Sequence, residues 1–273
     1  MLEGIPKRDY PKLFYHHFRE FLDVLAGKTS LKIYLTHNFP SLYRPKFKEG
    51  EILKWKEYKI RIPQILRYDP LIFEVLSGSY SIPECHVEEG DIVIDAGAHF
   101  GFFSYHAVER GAEEVHAFEP NPYVFEILKK HIGLWKIPAK PYNVALMSFS
   151  GFVELFISDP LSATATVLKE RDGTVLSSSY YTQSVRVRAT ALDEFVEENG
   201  IERVDFIKID TEGAEREIIK GAEKTIREFK PRMAIASYHL PDDKKVIPEL
   251  VLSIRDDYKY KLVKKVEENL FFY

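Results

Sequence analysis

From about residue 84 to the C-terminus, short β-branched apolar runs alternate with longer stretches of helical spacing, which predicts a mostly parallel sheet with helices on its faces. Ile92-Val93-Ile94 suits a buried parallel strand, residues 102–109 carry a helical pattern, and residues 114–118 read as a second strand. Further on, the pattern predicts a helix over 123–134, a third short strand at 142–146 and a helix over 191–198. An apolar strand at 204–210, one helix over 214–229, a fifth strand at 232–237 and a helix over 248–256 follow. Residues 260–266 and 269–273 alternate as a closing hairpin, which would give the sheet an antiparallel terminal strand. Residues 152–157 and 185–187 predict another hairpin around a Ser/Thr-rich loop, 158–182, whose length fits a lid over a cofactor or acceptor.

Residues 1–80 form a distinct region, aromatic-rich and broken by prolines. Its pattern predicts a helix over 10–25, a strand at 31–35, one or two strands over 51–62 and a short helix over 70–76. The expected organisation is a small α+β N-terminal accessory or cap region, 1–80, ahead of a catalytic domain, 81–273. An oligomerisation surface on the first region, and so a homo-oligomer, is the alternative to a cap.

Composition removes several classes of partner. The formal net charge is −4 without a long basic run, so a nucleic acid is not an expected partner. Cys85 is the only cysteine, which excludes an intramolecular disulfide and a multi-cysteine zinc site and fits a reducing compartment. Charged residues interrupt the first 22 positions and no later run reaches membrane-spanning length, so the expectation is a cytoplasmic protein with no membrane partner.

The chemistry concentrates at the ends of the predicted strands. The first strand stops at Asp95, and Gly97 and Gly101 then allow a sharp bend and a close ligand approach beside a helix N-terminus. Glu119 lies about 24 residues beyond Asp95, the separation expected of a carboxylate that accepts hydrogen bonds from ribose hydroxyls. A dinucleotide calls for G-x-G-x-x-G, but His99 occupies the middle glycine position, and Asp95 repels phosphate while favouring an ammonium or sulfonium group. That description suits S-adenosylmethionine better than NAD. Ligands of open α/β sheets sit outside the carboxyl ends of the strands, so Asp210 and Glu212 are expected on the same rim as Asp95 and Glu119. Glu212 and Glu215 also have a plainer explanation, because acidic residues complement the dipole in the first turn of a helix.

The blocks IDAGAHFG, VHAFEPNP, NVAL, TALDEF, FIKIDTEGAEREIIKGAE and SYHLP resemble the FkbM family of S-adenosylmethionine-dependent methyltransferases, over roughly 84–273 with 149–188 least alike. The resemblance implies a Rossmann-like class I methyltransferase fold and O-methylation of a hydroxyl on a sugar or other small metabolite, with a small-molecule or glycan acceptor. By position it implies that Asp95, Gly97, Ala98, His99 and Gly101 line the cofactor turn and that Glu119, Pro120 and Asn121 border the ribose. Asn143 and Ala145 are then expected to flank the adenine, and Asp210, Glu212 and His239 to face the methyl acceptor, with Asp210 also touching the cofactor. Family members often carry an acid two positions before His239, where this chain has Ser237. His239 is the expected base, since imidazole titrates near neutral pH. One histidine and two carboxylates without fixed helical spacing make a weak ligand set, and no metal is expected. An RNA methyltransferase, a non-catalytic adenosine-binding protein and a dinucleotide-dependent oxidoreductase are the alternative readings.

Overall fold

The computed structural model describes residues 78–158, 160, 164–168, 181–265 and 267–273, with two short strands and the positions Leu22, Leu25 and Val75 in the N-terminal part. The chain divides into two compact units, Met1–Leu76 and Ser77–Tyr273, so Tyr80 falls in the second unit rather than the first. In the first unit, β1 (Ile52–Trp55) and β2 (Tyr58–Arg61) form an antiparallel hairpin with Trp55 opposite Tyr58, inside the stretch where strands were expected. Leu22, Leu25 and Val75 are helical, within the helices expected over 10–25 and 70–76. The rest of those helices and the strand expected at 31–35 lie outside the described residues. No helix among the described residues is long and apolar enough to cross a membrane.

The second unit opens with β3 (Ile92–Ala96), α1 (Phe102–Glu109), β4 (Glu114–Phe118), α2 (Pro122–Trp135) and β5 (Ala139–Tyr142). On one side β3 pairs in parallel with β4, and β4 with β5; on the other it pairs in parallel with β9 (Phe206–Ile209), which pairs with β10 (Arg232–Ala236). The closing hairpin β11 (Tyr260–Lys264) and β12 (Glu268–Phe272) places β12 antiparallel against β10, completing the order β11-β12-β10-β9-β3-β4-β5. The strand order reverses beside β3, and such a reversal opens a crevice at the carboxyl ends of the two central strands. Ile94, Phe118, Phe206, Ile207, Phe271 and Phe272 are buried in the sheet. Each such side chain stabilises the fold by about 1.5–3 kcal/mol relative to exposure.

Three elements depart from the expected pattern, two through contacts distant in sequence and one through a local cap. The single strand expected at 142–146 is two: β5 ends at Tyr142, and β6 (Ala145–Met147) joins a second sheet of order β6-β8-β7 with β7 (Gly151–Ile157) and β8 (Gln183–Ala191). Asn143 turns the chain there, its Nδ2 donating to the Glu119 and Pro120 carbonyls at 2.9 and 3.0 Å. After α3 (Leu192–Glu198), the one helix expected over 214–229 is likewise two, α4 (Glu215–Lys220) and α5 (Glu223–Phe229). Gly221 lies so close to β6 that a Cβ there would stand 2.0 Å from the Met147 carbonyl oxygen, and the Asp193 carboxylate accepts from the Lys224 and Thr225 N–H groups at 2.8 Å. Such an acceptor caps a new helix start. Lastly, α6 (Asp243–Ile254) holds Pro248 in its interior instead of starting at it, because the Asp243 carboxylate accepts from Leu240 N–H at 2.7 Å and secures an earlier beginning.

Candidate active site

Gly97 sits where β3 and β9 end side by side. Its φ is +75°, and a Cβ would stand 1.9 Å from the Asp210 carbonyl oxygen, so the crevice closes backbone to backbone at this residue. The N–H groups of Gly97 and Ala98 donate to the Phe118 carbonyl at 3.0 and 2.9 Å, which ties the turn to the end of β4. His99 takes the left-handed conformation, φ 50°, that a glycine would otherwise supply. Its N–H donates to Glu119 Oε2 at 2.9 Å, and Asn121 N–H donates to Oε1 at 2.8 Å. Burial pushes the Glu119 carboxyl up to about 7, against the pull of these two backbone donors. Each oxygen of the ionised carboxylate keeps a further lone pair, which leaves two acceptor positions side by side.

A cavity of about 600 Å³, its open mouth included, runs along this rim. Its lining joins Gly97, His99, Glu119 and Pro120 to an apolar group, Val144–Met147 with Leu155, Ala165 and Val167, and to Asp210, Thr211 and Glu212. Of the residues expected at the cofactor, Gly97, His99, Glu119, Pro120, Ala145 and Asp210 therefore border one space.

The structure corrects the expected position of Asp95. It is fully buried and does not line the cavity: Ser104 Oγ donates to its Oδ2 at 2.7 Å, and Lys208 Nζ lies 3.3 Å from its Oδ1. Lys208, itself buried, donates to the Ala96 and Gly97 carbonyls at 3.2 and 2.7 Å. The Asp95 charge is thus compensated beneath the turn rather than offered to a ligand. Ala98, Gly101, Asn121 and Asn143 also stand off the lining. Gly101 precedes α1 in the left-handed conformation, Asn121 caps α2 by accepting from Tyr123 N–H at 3.0 Å, and Asn143 makes the turn described above.

Across the crevice, the chain after β9 and β10 gathers Asp210, Glu212, Glu215, Tyr238 and His239. His239 is buried; its Nδ1–H donates to Glu215 Oε1 at 3.0 Å, and its Nε2 stands 3.6 Å from both Asp210 Oδ1 and Glu212 Oε2. Glu215 Oε1 also accepts from Thr211 N–H at 2.9 Å, the Thr211 hydroxyl at 3.2 Å and Gly213 N–H at 3.3 Å. Burial works against both charges of the pair. Even so, the carboxylates around His239 hold it above its ordinary value, and His239 with these donors holds Glu215 below its own. The surrounding carboxylates thus favour the protonated imidazole over the neutral base expected at this position. Burial pushes the Glu212 carboxyl up to about 8, despite the nearby His239 charge. Glu212 itself has φ 57°, a sparsely populated conformation held by the Thr166 hydroxyl donating to its carbonyl at 2.6 Å. Ser237, just past the end of β10, donates its hydroxyl to the Glu268 carbonyl at 2.9 Å and is tied to the closing hairpin. Asp210, Glu215 and His239 each offer a ligand atom within 4.8 Å of the others, a set that could hold a cation.

The sequence reading missed Lys208, Tyr80 and Tyr238. A lysine inside the apolar run FIKI is a signal for the first, since a buried ammonium needs partners. No signal in the sequence pointed to Tyr80, whose hydroxyl donates to Asp210 Oδ2 across 130 residues.

Comparison with known proteins bears on the same region. A family model described as a methyltransferase FkbM domain matches residues 95–262. The hexuronic acid methyltransferase AglP of Haloferax volcanii is 26% identical over 164 residues, covering 60% of this chain and 62% of that protein. The 31-O-demethyl-FK506 methyltransferase FkbM of Streptomyces tacrolimicus is 25% identical over 156 residues, covering 49% and 60%. The chain thus spans less than two thirds of the length of these curated relatives. The crystal structure of methyltransferase FkbM from Methylobacillus flagellatus matches with a TM-score of 0.53 at 21% identity, over 69% of this chain and 44% of that one, a likeness of fold.

Proposed function

The chain belongs to the FkbM methyltransferase family, and we propose that it transfers the methyl group of S-adenosylmethionine to a hydroxyl of a sugar or other small metabolite. One observation carries the reading: a single cavity joins the glycine bend and Glu119 to Asp210 and Glu212. The residues fit the cofactor. Glu119 offers two adjacent acceptor positions for a ribose diol, and the apolar lining from Val144 to Met147 suits the face of a purine. When bound, S-adenosylmethionine supplies a methyl group on a sulfonium that an oxygen nucleophile can attack in line.

The chain's own part is to position the acceptor and take its proton. Asp210 borders the cavity and is the carboxylate in place to receive that proton, with the His239 charge 3.6 Å away offsetting the surrounding acids. Glu212, its carboxyl pushed up to about 8 by burial, keeps its proton near neutral pH and can donate to a second acceptor hydroxyl. Relatives named for a hexuronic acid and for 31-O-demethyl-FK506 support a hydroxyl-bearing small molecule or glycan as the acceptor class.

Titration calorimetry with S-adenosylmethionine and with NAD tests the cofactor, and release of S-adenosylhomocysteine over a panel of sugars and sugar acids tests the acceptor. Binding of the first ligand alone, and turnover on at least one panel member, is the expected result. Binding of NAD, or no binding of S-adenosylmethionine at saturation, would overturn the reading.

A further inference from the structure

We propose that Tyr80 is a positioning residue of this site, acting through Asp210, although it precedes the segment that the family model matches. The proposal rests on the methyltransferase reading and assigns the Asp210 carboxylate a partner that holds it in place. Tyr80 donates to Oδ2, while Tyr238 donates to Oδ1 at 3.4 Å on the side facing His239 Nε2. The Tyr80 hydrogen bond pins one oxygen of the carboxylate, and a hydrogen bond to an ionised acceptor is among the stronger kinds; the Tyr238 contact, longer and shared with Glu267, adds less.

Tyr80 is itself firmly held. It is 6% exposed, its ring stands edge-on to Phe103 at 5.6 Å, and Lys208 Nζ lies 5.3 Å from the ring centroid. The ammonium that grips the Gly97 carbonyl therefore also rests on the ring whose hydroxyl aims Asp210, which joins the two sides of the cavity. The turn carrying Tyr80 is fastened from the C-terminal hairpin: Lys265 Nζ donates to the Gly78 and Ser81 carbonyls at 2.8 and 2.6 Å, and Asn269 Nδ2 donates to the Ser79 carbonyl at 3.1 Å. Residues 78–81 and 265–269 both lie outside the matched segment 95–262, so two flanking pieces of the chain complete a site whose other members lie within it.

A test needs no acceptor. Sinefungin carries a primary ammonium where S-adenosylmethionine has its methylated sulfonium, so its affinity reads the Asp210 carboxylate directly, whereas S-adenosylhomocysteine lacks that charge. Calorimetry of both ligands is run on the native protein, Tyr80→Phe, Asp210→Asn and the double variant. Tyr80→Phe is expected to weaken sinefungin about tenfold with S-adenosylhomocysteine unchanged, and to have no further effect in the Asp210→Asn background. Should Tyr80→Phe fail to fold, Lys265→Met, which loosens the turn from a distance, is expected to produce the same selective loss. Equal effects on both ligands, no effect on either, or an undiminished effect in the Asp210→Asn background would overturn the proposal. A native protein that binds neither ligand overturns the methyltransferase reading, and this assignment with it.

Discussion

Two buried ion pairs underlie the two sides of the cavity, and they differ in what they leave open. Lys208 and Asp95 face inward: the ammonium is used by two backbone carbonyls and the carboxylate by Ser104, and neither residue borders the cavity. His239 and Glu215 are equally buried, and among the described residues His239 Nε2 and Asp95 Oδ1 both lack a hydrogen-bond partner, yet only His239 Nε2 points toward residues, Asp210 and Glu212, that border the cavity. The first pair fixes a backbone shape, and the second sets the electrostatics of groups that can meet a substrate. A buried charge is therefore read by what its free atoms face, not by its burial alone.

Substitutions should separate the two sides, and the largest effect is expected where they touch. Gly97→Ala puts a Cβ against the Asp210 carbonyl in a backbone conformation alanine resists, and a loss of more than about 4 kcal/mol in denaturant unfolding is expected. A folded protein of native stability would deny the close approach. Next in size, Lys208→Met strands the buried Asp95 charge and should cost about 3–5 kcal/mol, with much of that recovered in the Lys208→Met/Asp95→Asn double variant. On the other side, Asp210→Asn should leave stability and the affinity for uncharged S-adenosylhomocysteine near native while turnover on an acceptor from the panel falls by about 10²–10⁴. A stability loss matching that of Lys208→Met, with turnover spared, would erase the contrast.

Much of the first side was legible in the sequence, because its contacts are local. The order of β3, glycine turn, α1, β4 and Glu119 is spelled out by apolar spacing and small residues within 30 positions, and α1 and β4 occupy their expected bounds. Asp95 was read as a ligand contact because nothing nearby announces Lys208, 113 residues later, as its partner. The acceptor side was legible only as a set of acids and a histidine at strand ends. Their pairing, the charges gathered around His239 and the Tyr80 hydroxyl all depend on contacts between distant segments. The split of the helix expected over 214–229 has the same origin, since it needs Met147 and Asp193 to be in place.

The smallest expected effect concerns Glu119. Glu119→Gln keeps its shape but loses a charged acceptor, so cofactor affinity should fall by about tenfold, without a change in the acceptor side. In the native protein the carboxyl held near 7 is ionised above that value and protonated below it, so the better acceptor is lost as pH falls. Cofactor affinity measured by calorimetry should weaken from pH 8 to pH 6, and the Glu119→Gln protein should show a flatter profile. Parallel profiles would assign the dependence to another group.

The central claim is that one cavity holds the cofactor between Glu119 and Asp210. A crystal structure of the protein with S-adenosylhomocysteine tests it most directly. The account predicts the ribose hydroxyls within hydrogen-bond distance of Glu119 and the sulfur turned toward Asp210. A ligand seated away from Glu119, or one whose sulfur faces away from Asp210, would contradict it.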